Sequence, residues 1–383
     1  MKKPLALYLH LPFCLSKCHY CDFNSVVADS DVHSKYLQTV AAEMKYYAAL
    51  PHIQGRQISS VYWGGGTPTI LGVEVLAFLA DELKSVFNVP EGIEWSVEAN
   101  PGTIDRRKVE TLLQCGVNRI SLGVQSYDDS LLRLINRSHT SDEAIAAVLL
   151  LKECGVANIN LDLIFGLPGQ TIAIYRDTLN RAVDLDPQHL SLYGLQVEEG
   201  TVLSKMLDDG ELELPGEDTD LMMFHMGEEM LSQVGYEQYE ISNFSRPGWI
   251  CRHNLAYWQH EEYLGIGAGA YSYLQGKRFG HTSNPREYIS QWHQTAWPTI
   301  EESEEITADM QQAETLMLGF RLMTGVDITA FEERFGISFS GKYGDITTEL
   351  VHQGLLIQEG NFLIPTKAGK AMNNRIGMAY MIV

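Results

Sequence analysis

The sequence predicts an α/β fold: a parallel sheet curled into a barrel or partial barrel, followed by a smaller winged-helix-like module. Short β-rich segments alternate with helical patterns from residue 5 to about 200, as right-handed βα units require. Polar and glycine-rich residues recur at the C-terminal end of one candidate strand after another. Past residue 300 the pattern changes to three helices and a hairpin.

The candidate strands are "LALYLHLP" (5–12), "SSVYWGGG" (59–66), "IEWSVEAN" (93–100), "RISLGVQS" (119–126), "NINLDLIFG" (158–166) and "HLSLYGLQVE" (189–198), each followed by a helical or helix-initiating stretch. Two joints repeat one another, "LLQCGVNRISLG" and "LKECGVANINLD". Glycine suits the left-handed residue just past a helix, and Cys115 and Cys154 before it read as small buried fillers. After residue 200 come an amphipathic helix, "EDTDLMMFHMGEEMLSQVGY", then "EQYEISNFS" and the glycine-rich "YLGIGAGAYSY". The polar, acidic "PTIEESEEIT" suggests a joint near residue 300, giving a barrel over 1–235, a connecting segment over 236–300 and a C-terminal module over 301–383. In that module helices are expected at 308–322, 327–335 and 341–353, with a hairpin turning at Glu359-Gly360 and a final helix.

With 28 basic against 49 acidic residues, the formal net charge of −21 repels a phosphate backbone, so nucleic acid is not an expected partner. No apolar run approaches the roughly 18–20 residues that span a bilayer. The cysteines are three clustered and three scattered among 383 residues, unlike a secreted disulfide framework, and a cytoplasmic location is expected.

In a parallel barrel the chemistry gathers where the strands end, because the βα loops open onto that rim. The first candidate strand runs into the cysteine loop, the second ends in "GGGTP" (64–68), the third in "EANP" (98–101) and the fourth in "VQS" (124–126). The fifth carries Asp162 and the sixth Tyr193 and Gln196. Gly64 to Gly66 lack side chains that would keep a small molecule off the backbone.

"LPFCLSKCHYCDFNS" (11–25) holds Cys14, Cys18 and Cys21 in a C-x3-C-x2-C spacing. Three thiolates select zinc or an iron-sulfur cluster. Structural zinc needs a fourth ligand, for which His19 or Asp22 is at hand. A 4Fe-4S cube held by three cysteines instead leaves one iron open to an outside ligand.

This spacing, with Tyr20 before the last cysteine, resembles the radical S-adenosylmethionine superfamily. The resemblance implies a partial (β/α)6, TIM-like barrel and a cluster whose open iron is chelated by the amino and carboxylate groups of S-adenosylmethionine. "YLHLPFC", "GGGTP", "VEANP", "GVNRISLGVQS" and "NLDLIFGLPGQT" are similar to the branch holding the coproporphyrinogen III dehydrogenase HemN and the heme chaperone HemW. Carried over by position, Gly65 and Gly66 would lie against the methionyl amino group with Thr67 beside them, and Glu98 would contact the same ligand. Gln125, Arg137 and Asp162 match positions around its ribose and carboxylate, and Tyr8 matches a tyrosine near the cluster.

Three departures from HemN place the resemblance on the HemW side. Position 23 is Phe where HemN continues to a fourth cysteine, the first strand begins at residue 5 without HemN's long N-terminal arm, and "CRHNLAYW" (251–258) resembles an H-N-x-x-Y-W motif implicated in holding heme. From the residues alone, His253, Tyr257 and Trp258 read as satisfied core side chains. With the resemblance, His253 becomes a heme contact, with Cys251 the alternative ligand.

The resemblance thus implies a chaperone that binds heme, a 4Fe-4S cluster and S-adenosylmethionine and delivers heme to apo-proteins such as respiratory cytochromes, with cluster-linked homodimerisation and peripheral association with the inner face of the membrane. The alternative is an enzyme in which a 5′-deoxyadenosyl radical drives oxidative decarboxylation of coproporphyrinogen III.

Overall fold

A computed structural model describes residues 2–381. Six parallel strands pair in chain order: β1 (Leu5–Leu11), β2 (Ile58–Gly65), β3 (Glu94–Ala99), β4 (Arg119–Gln125), β5 (Asn158–Phe165) and β6 (His189–Gly194). Between them run α1 (Ser30–Ala49), α2 (Val73–Val86), α3 (Arg106–Gln114), α4 (Asp129–Leu134), α5 (Ser141–Glu153) and α6 (Ile172–Asp184). Local chemistry sets the helix starts. Asp29 caps α1 by accepting from the Val32 N–H, and Thr140 and Glu143 form a reciprocal capping box on α5. The repeated Cys-Gly-Val joints close α3 and α5, with Gly116 at φ +93° and Gly155 at φ +82°. Cys115 is buried as expected, whereas Cys154 is only half-buried.

The strands alternate with period two. One set, including Leu9, Trp63, Val97, Ile120 and Ile159, packs on the helices as the main core. The other set faces inward and is polar: Ser60 pairs across to Glu94, Ser96 to Arg119, Ser121 to Asn160, and Asn160 to His189. A filled parallel barrel would put branched aliphatics there. This one is lined instead with hydrogen-bonding groups.

The barrel is partial because β1 and β6 do not meet. After β6 come α7 (Val202–Asp208) and α8 (Glu217–Gln233), then β7 (Glu237–Gln238) and β8 (Asn243–Ser245), the latter antiparallel to β6. Helix α9 (Arg252–Trp258) precedes β9 (Tyr263–Ile266), which lies parallel on β1. Strands β10 (Tyr271–Leu274) and β11 (Lys277–His281), helix α10 (Pro285–Thr295) and β12 (Ile300–Glu305) complete a twelve-stranded sheet. Two expectations therefore change. The stretch 236–300, expected as a connecting segment, is built into the sheet, and the acidic joint near 300 is its edge strand. Its carboxylates have partners: Glu305 pairs with Lys277 at 3.0 Å and Glu304 with Arg278 at 3.3 Å, and an acidic edge discourages further strand pairing. Strand β6 also ends at Gly194, short of the expected 198.

The C-terminal module has its own core, including Phe320, Phe331, Tyr343 and Tyr380. Helices α11 (Ala308–Gly319), α12 (Ile328–Phe335) and α13 (Phe339–His352) pack with a small sheet of β13 (Val326–Asp327), β14 (Leu356–Glu359) and β15 (Phe362–Pro365), followed by α14 (Lys367–Ala371) and α15 (Asn373–Met381). The hairpin turns where expected, with Glu359 paired to Phe362 and Gly360 at φ +59°. The module meets the barrel at α9, where the guanidinium of Arg321, just past α11, lies 4.4 Å from the Trp258 ring. Among the described residues no helix is long and apolar enough to cross a membrane.

Candidate functional site

The chain leaves β1 through Pro12 into the cysteine loop, which backbone bonds hold at both ends: Val26 N to Pro12 O at 2.7 Å and Cys14 N to Val26 O at 3.0 Å. Elsewhere the His19 N–H reaches Ile135 O at 3.1 Å and the Asn136 side chain reaches Lys17 O at 2.9 Å. Cys14, Cys18 and Cys21 are free, half-buried thiols. Burial pushes the thiols of Cys14 and Cys21 up, with repulsion from Cys18 adding to it. The Arg137 guanidinium answers this, donating from Nη1 to Cys18 Sγ at 3.3 Å and from Nη2 to Asn100 Oδ1 at 2.5 Å and to Gly123 O. Cys18, Thr67, Asn100 and Arg137 line one small pocket.

This donor set fits a cluster better than a single ion. Among the described residues no three His, Cys, Asp or Glu side chains converge closely enough for one metal. His19, weighed as a fourth zinc ligand, turns its Nδ1 to Leu134 O at 2.8 Å, and Asp22 is exposed. Three thiols on one loop, with Cys18 facing the small pocket and an arginine N–H on its sulfur, are the donor type that iron-sulfur clusters take.

The glycines of the second strand end serve the chain itself. A Cβ on Gly66 would meet the Phe13 backbone N and O at 2.6 Å, and Gly65, at φ +104°, lies against the His10 ring. Their bareness lets this turn pack beneath the cysteine loop, where Gly66 N binds Leu11 O at 3.0 Å and Thr67 N binds Phe13 O at 2.8 Å. The side of Gly65 and Gly66 where a Cβ would stand is therefore filled by His10 and the loop backbone rather than left open to a ligand. Thr67 Oγ1 accepts from Asn100 Nδ2 at 2.9 Å and lies 3.7 Å from Cys14 Sγ.

Glu98 accepts from Gly65 N at 3.1 Å and from Tyr62 OH at 2.9 Å. Burial, then repulsion from Asp162, push its carboxyl up to about 7. Asp162 is also pushed up by burial, against the hydrogen bonds it accepts from Ser121 Oγ and Asn160 Nδ2, each 2.9 Å. Gln125 ends β4 with φ +69° beside a bulge. Tyr8 holds His10 Nδ1 at 3.0 Å and stacks toward Tyr62, with ring centroids 6.2 Å apart. The structure thus gathers Gly65, Gly66, Thr67, Glu98, Gln125 and Arg137 near the rim that carries the three cysteines, while Asp162 and Tyr8 stand deeper in the lumen, the Tyr8 ring 6.4 Å from that of His253.

His253 is elsewhere. Helix α9 lies across the N-terminal mouth of the barrel, its first turn bound to the Glu94 carboxylate through Arg252 N and His253 N, both at 2.9 Å. The His253 ring points inward, 1% exposed, with Nδ1 on Ser60 Oγ at 2.9 Å and Nε2 on Tyr257 OH at 3.1 Å. It stacks on Tyr62 at 5.1 Å between centroids, and burial lowers its pKa to about 3. Both ring nitrogens are satisfied, so this geometry offers neither to a heme iron. Cys251 is wholly buried, and its thiol faces Glu94 Oε1 at 3.4 Å.

Several residues escape the sequence reading. Asn100, inside "EANP", joins Thr67 to Arg137. His10 and Tyr62 share the inward face with Tyr8 and Glu98, and their period-two spacing was the available signal. Arg119, 2% exposed, sits among Glu94, Tyr62, Tyr239 and Cys251 with its Nε unbonded among the described residues, and its charge opposes protonation of Glu98 and Asp162.

Residues 8–182 match the model of the Radical SAM superfamily and residues 306–371 that of the HemN C-terminal domain. The chain is 35% identical over 98% of its length to the heme chaperone HemW of Bacillus subtilis, covering 98% of that protein. It is 33% identical to HemW of Escherichia coli, covering 97% of each chain. The structure superposes on the coproporphyrinogen III oxidase HemN of Escherichia coli with a TM-score of 0.86 over 99% of this chain and 90% of the other, at 24% identity, a likeness of fold.

Proposed function

The chain belongs to the HemW family of the radical S-adenosylmethionine superfamily, and from that premise we propose that it is a heme chaperone, holding a 4Fe-4S cluster and S-adenosylmethionine at its barrel rim and passing heme to apo-proteins. The observation that carries this reading is the similarity to HemW proteins across nearly the whole chain, C-terminal module included.

Cys14, Cys18 and Cys21 hold the cluster, and Arg137 steadies the Cys18 sulfur. A bound cluster supplies single electrons and one open iron for the amino and carboxylate groups of S-adenosylmethionine. Glu98, ionised above about pH 7, offers the ligand a carboxylate beside the Gly65 turn. Thr67 and Asn100 close the side of the pocket, while Gln125 at the end of β4 and Asp162 within β5 are the groups to take ribose hydroxyls. Recipients are apo-forms of heme proteins such as respiratory cytochromes; work at the cytoplasmic face of the membrane and a homodimeric state belong to the same reading.

The rival activity, decarboxylation of coproporphyrinogen III, is tested on the same sample. Protein reconstituted anaerobically and shown by electron paramagnetic resonance to respond to S-adenosylmethionine should bind heme and yield no decarboxylated product. Product formation would overturn the chaperone reading.

A further inference from the structure

With His253 enclosed, a heme carrier needs another seat. Beside the cysteine loop runs an open groove of about 610 Å³, between the loop and the start of α10. Phe23, Val27, Val32 and Pro285 form its apolar walls. Phe23 is 64% exposed and Val27 65%, and with Leu15 on the same loop, also 64%, they concentrate bare apolar surface next to the cysteines. Monomeric proteins seldom leave such a patch without a use.

The charges in the groove run against those of the whole molecule. Acids outnumber bases 49 to 28 along the chain, yet the groove is lined by two cations, Lys17 and Arg286, and one carboxylate, Asp22. Arg286 is loosely engaged, 3.6 Å from Asp29 with both side chains largely exposed. A groove with an apolar wall, polar groups such as Asn24 and Asn284 beside it, and two available cations at its edge matches a flat apolar molecule bearing two carboxylates, and a volume of about 300–1,000 Å³ is usual for such ligands. Arginine pairs with a carboxylate through two parallel N–H donors, and lysine as a point charge.

We propose that heme docks in this groove, its ring against Phe23 and Val27 and its propionates on Lys17 and Arg286. The site rests on the heme-chaperone reading and deepens it by placing the cargo at the cluster's own loop rather than at α9.

Heme titrations followed by absorbance on the full-length, cluster-loaded protein decide the matter. Val27→Asp and Arg286→Glu alter exposed side chains; each should weaken heme binding tenfold or more with iron-sulfur content unchanged, and His253→Ala should stay within about threefold of wild type. Protoporphyrin dimethyl ester, which lacks the two charges, should bind the wild type more weakly than the free acid. Groove variants that titrate like wild type would overturn the site and leave the chaperone reading standing. A wild-type protein that takes up no heme would overturn both.

Discussion

Arg137 Nη1 lies 3.3 Å from Cys18 Sγ, while Nη2 of the same guanidinium reaches Asn100 Oδ1 at 2.5 Å. One side chain thus ties the loop after β1 to the end of β3. An arginine is always charged and presents its donors in a fixed fork, so it can favour a thiolate and fix a strand end together.

Arg137→Met should remove both roles. The carbonyl of Gly123 and the Asn100 side chain lose their donor, costing on the order of 1–3 kcal/mol. Iron per chain after anaerobic reconstitution should fall well below wild type, with Arg137→Lys intermediate. Iron and sulfide assays read the result.

Glu98 gives the site a pH dependence. Its folded pKa of about 7 lies above the ordinary 4.5 of a glutamate, so the native state binds more protons than the unfolded chain between those values and stability falls as pH rises across that window. Glu98→Gln keeps an acceptor for Gly65 N and should flatten that slope, gaining up to about 3 kcal/mol above pH 7. Affinity for S-adenosylmethionine should rise with pH through about 7 in wild type and stay flat in the variant. Denaturant melts and calorimetric titrations at several pH values measure the two effects.

Gly66→Ala should loosen the cysteine loop, because its Cβ meets the Phe13 backbone at 2.6 Å, whereas Gly102→Ala meets nothing within 4 Å and should be neutral. The first variant should melt lower and retain less iron; the second should match wild type in both.

His253→Ala leaves a cavity and unpairs Ser60 and Tyr257, and should cost roughly 2–4 kcal/mol. With its pKa lowered to about 3 from 6.5, the wild-type ring contributes stability that is complete above 6.5 and is lost as pH falls toward 3. The variant should show a shallower acid slope in thermal melts.

The sequence makes the six parallel strands legible because their period-two pattern and flanking turns are local. Strands β7 to β10 escape it because they run for only two to four residues, and β8 and β9 join the sheet through distant partners, as Ala6 pairs with Tyr263 and Leu190 with Phe244. The acidic β12 reads as a linker until Lys277 and Arg278 appear opposite its carboxylates. At the site, the cysteine spacing and the strand-end motifs point to the rim from sequence alone. The polar lumen does not: Glu94 and His189 belong to no local motif, and Arg119, although it lies in "GVNRISLGVQS", is a buried arginine that contradicts the usual core pattern. Placing His253 required knowing that α9 covers the far mouth of the barrel.

Delivery of heme is measured by its transfer to an empty recipient. Heme-loaded protein is mixed with an apo-cytochrome b under anaerobic conditions, and the absorbance of the holo-cytochrome is followed against free heme at the same concentration. The chaperone's heme spectrum should fall as the cytochrome's rises, in proportion to the heme supplied. Heme that stays on the protein while the cytochrome remains empty, although free heme fills it, would show that this protein does not deliver heme.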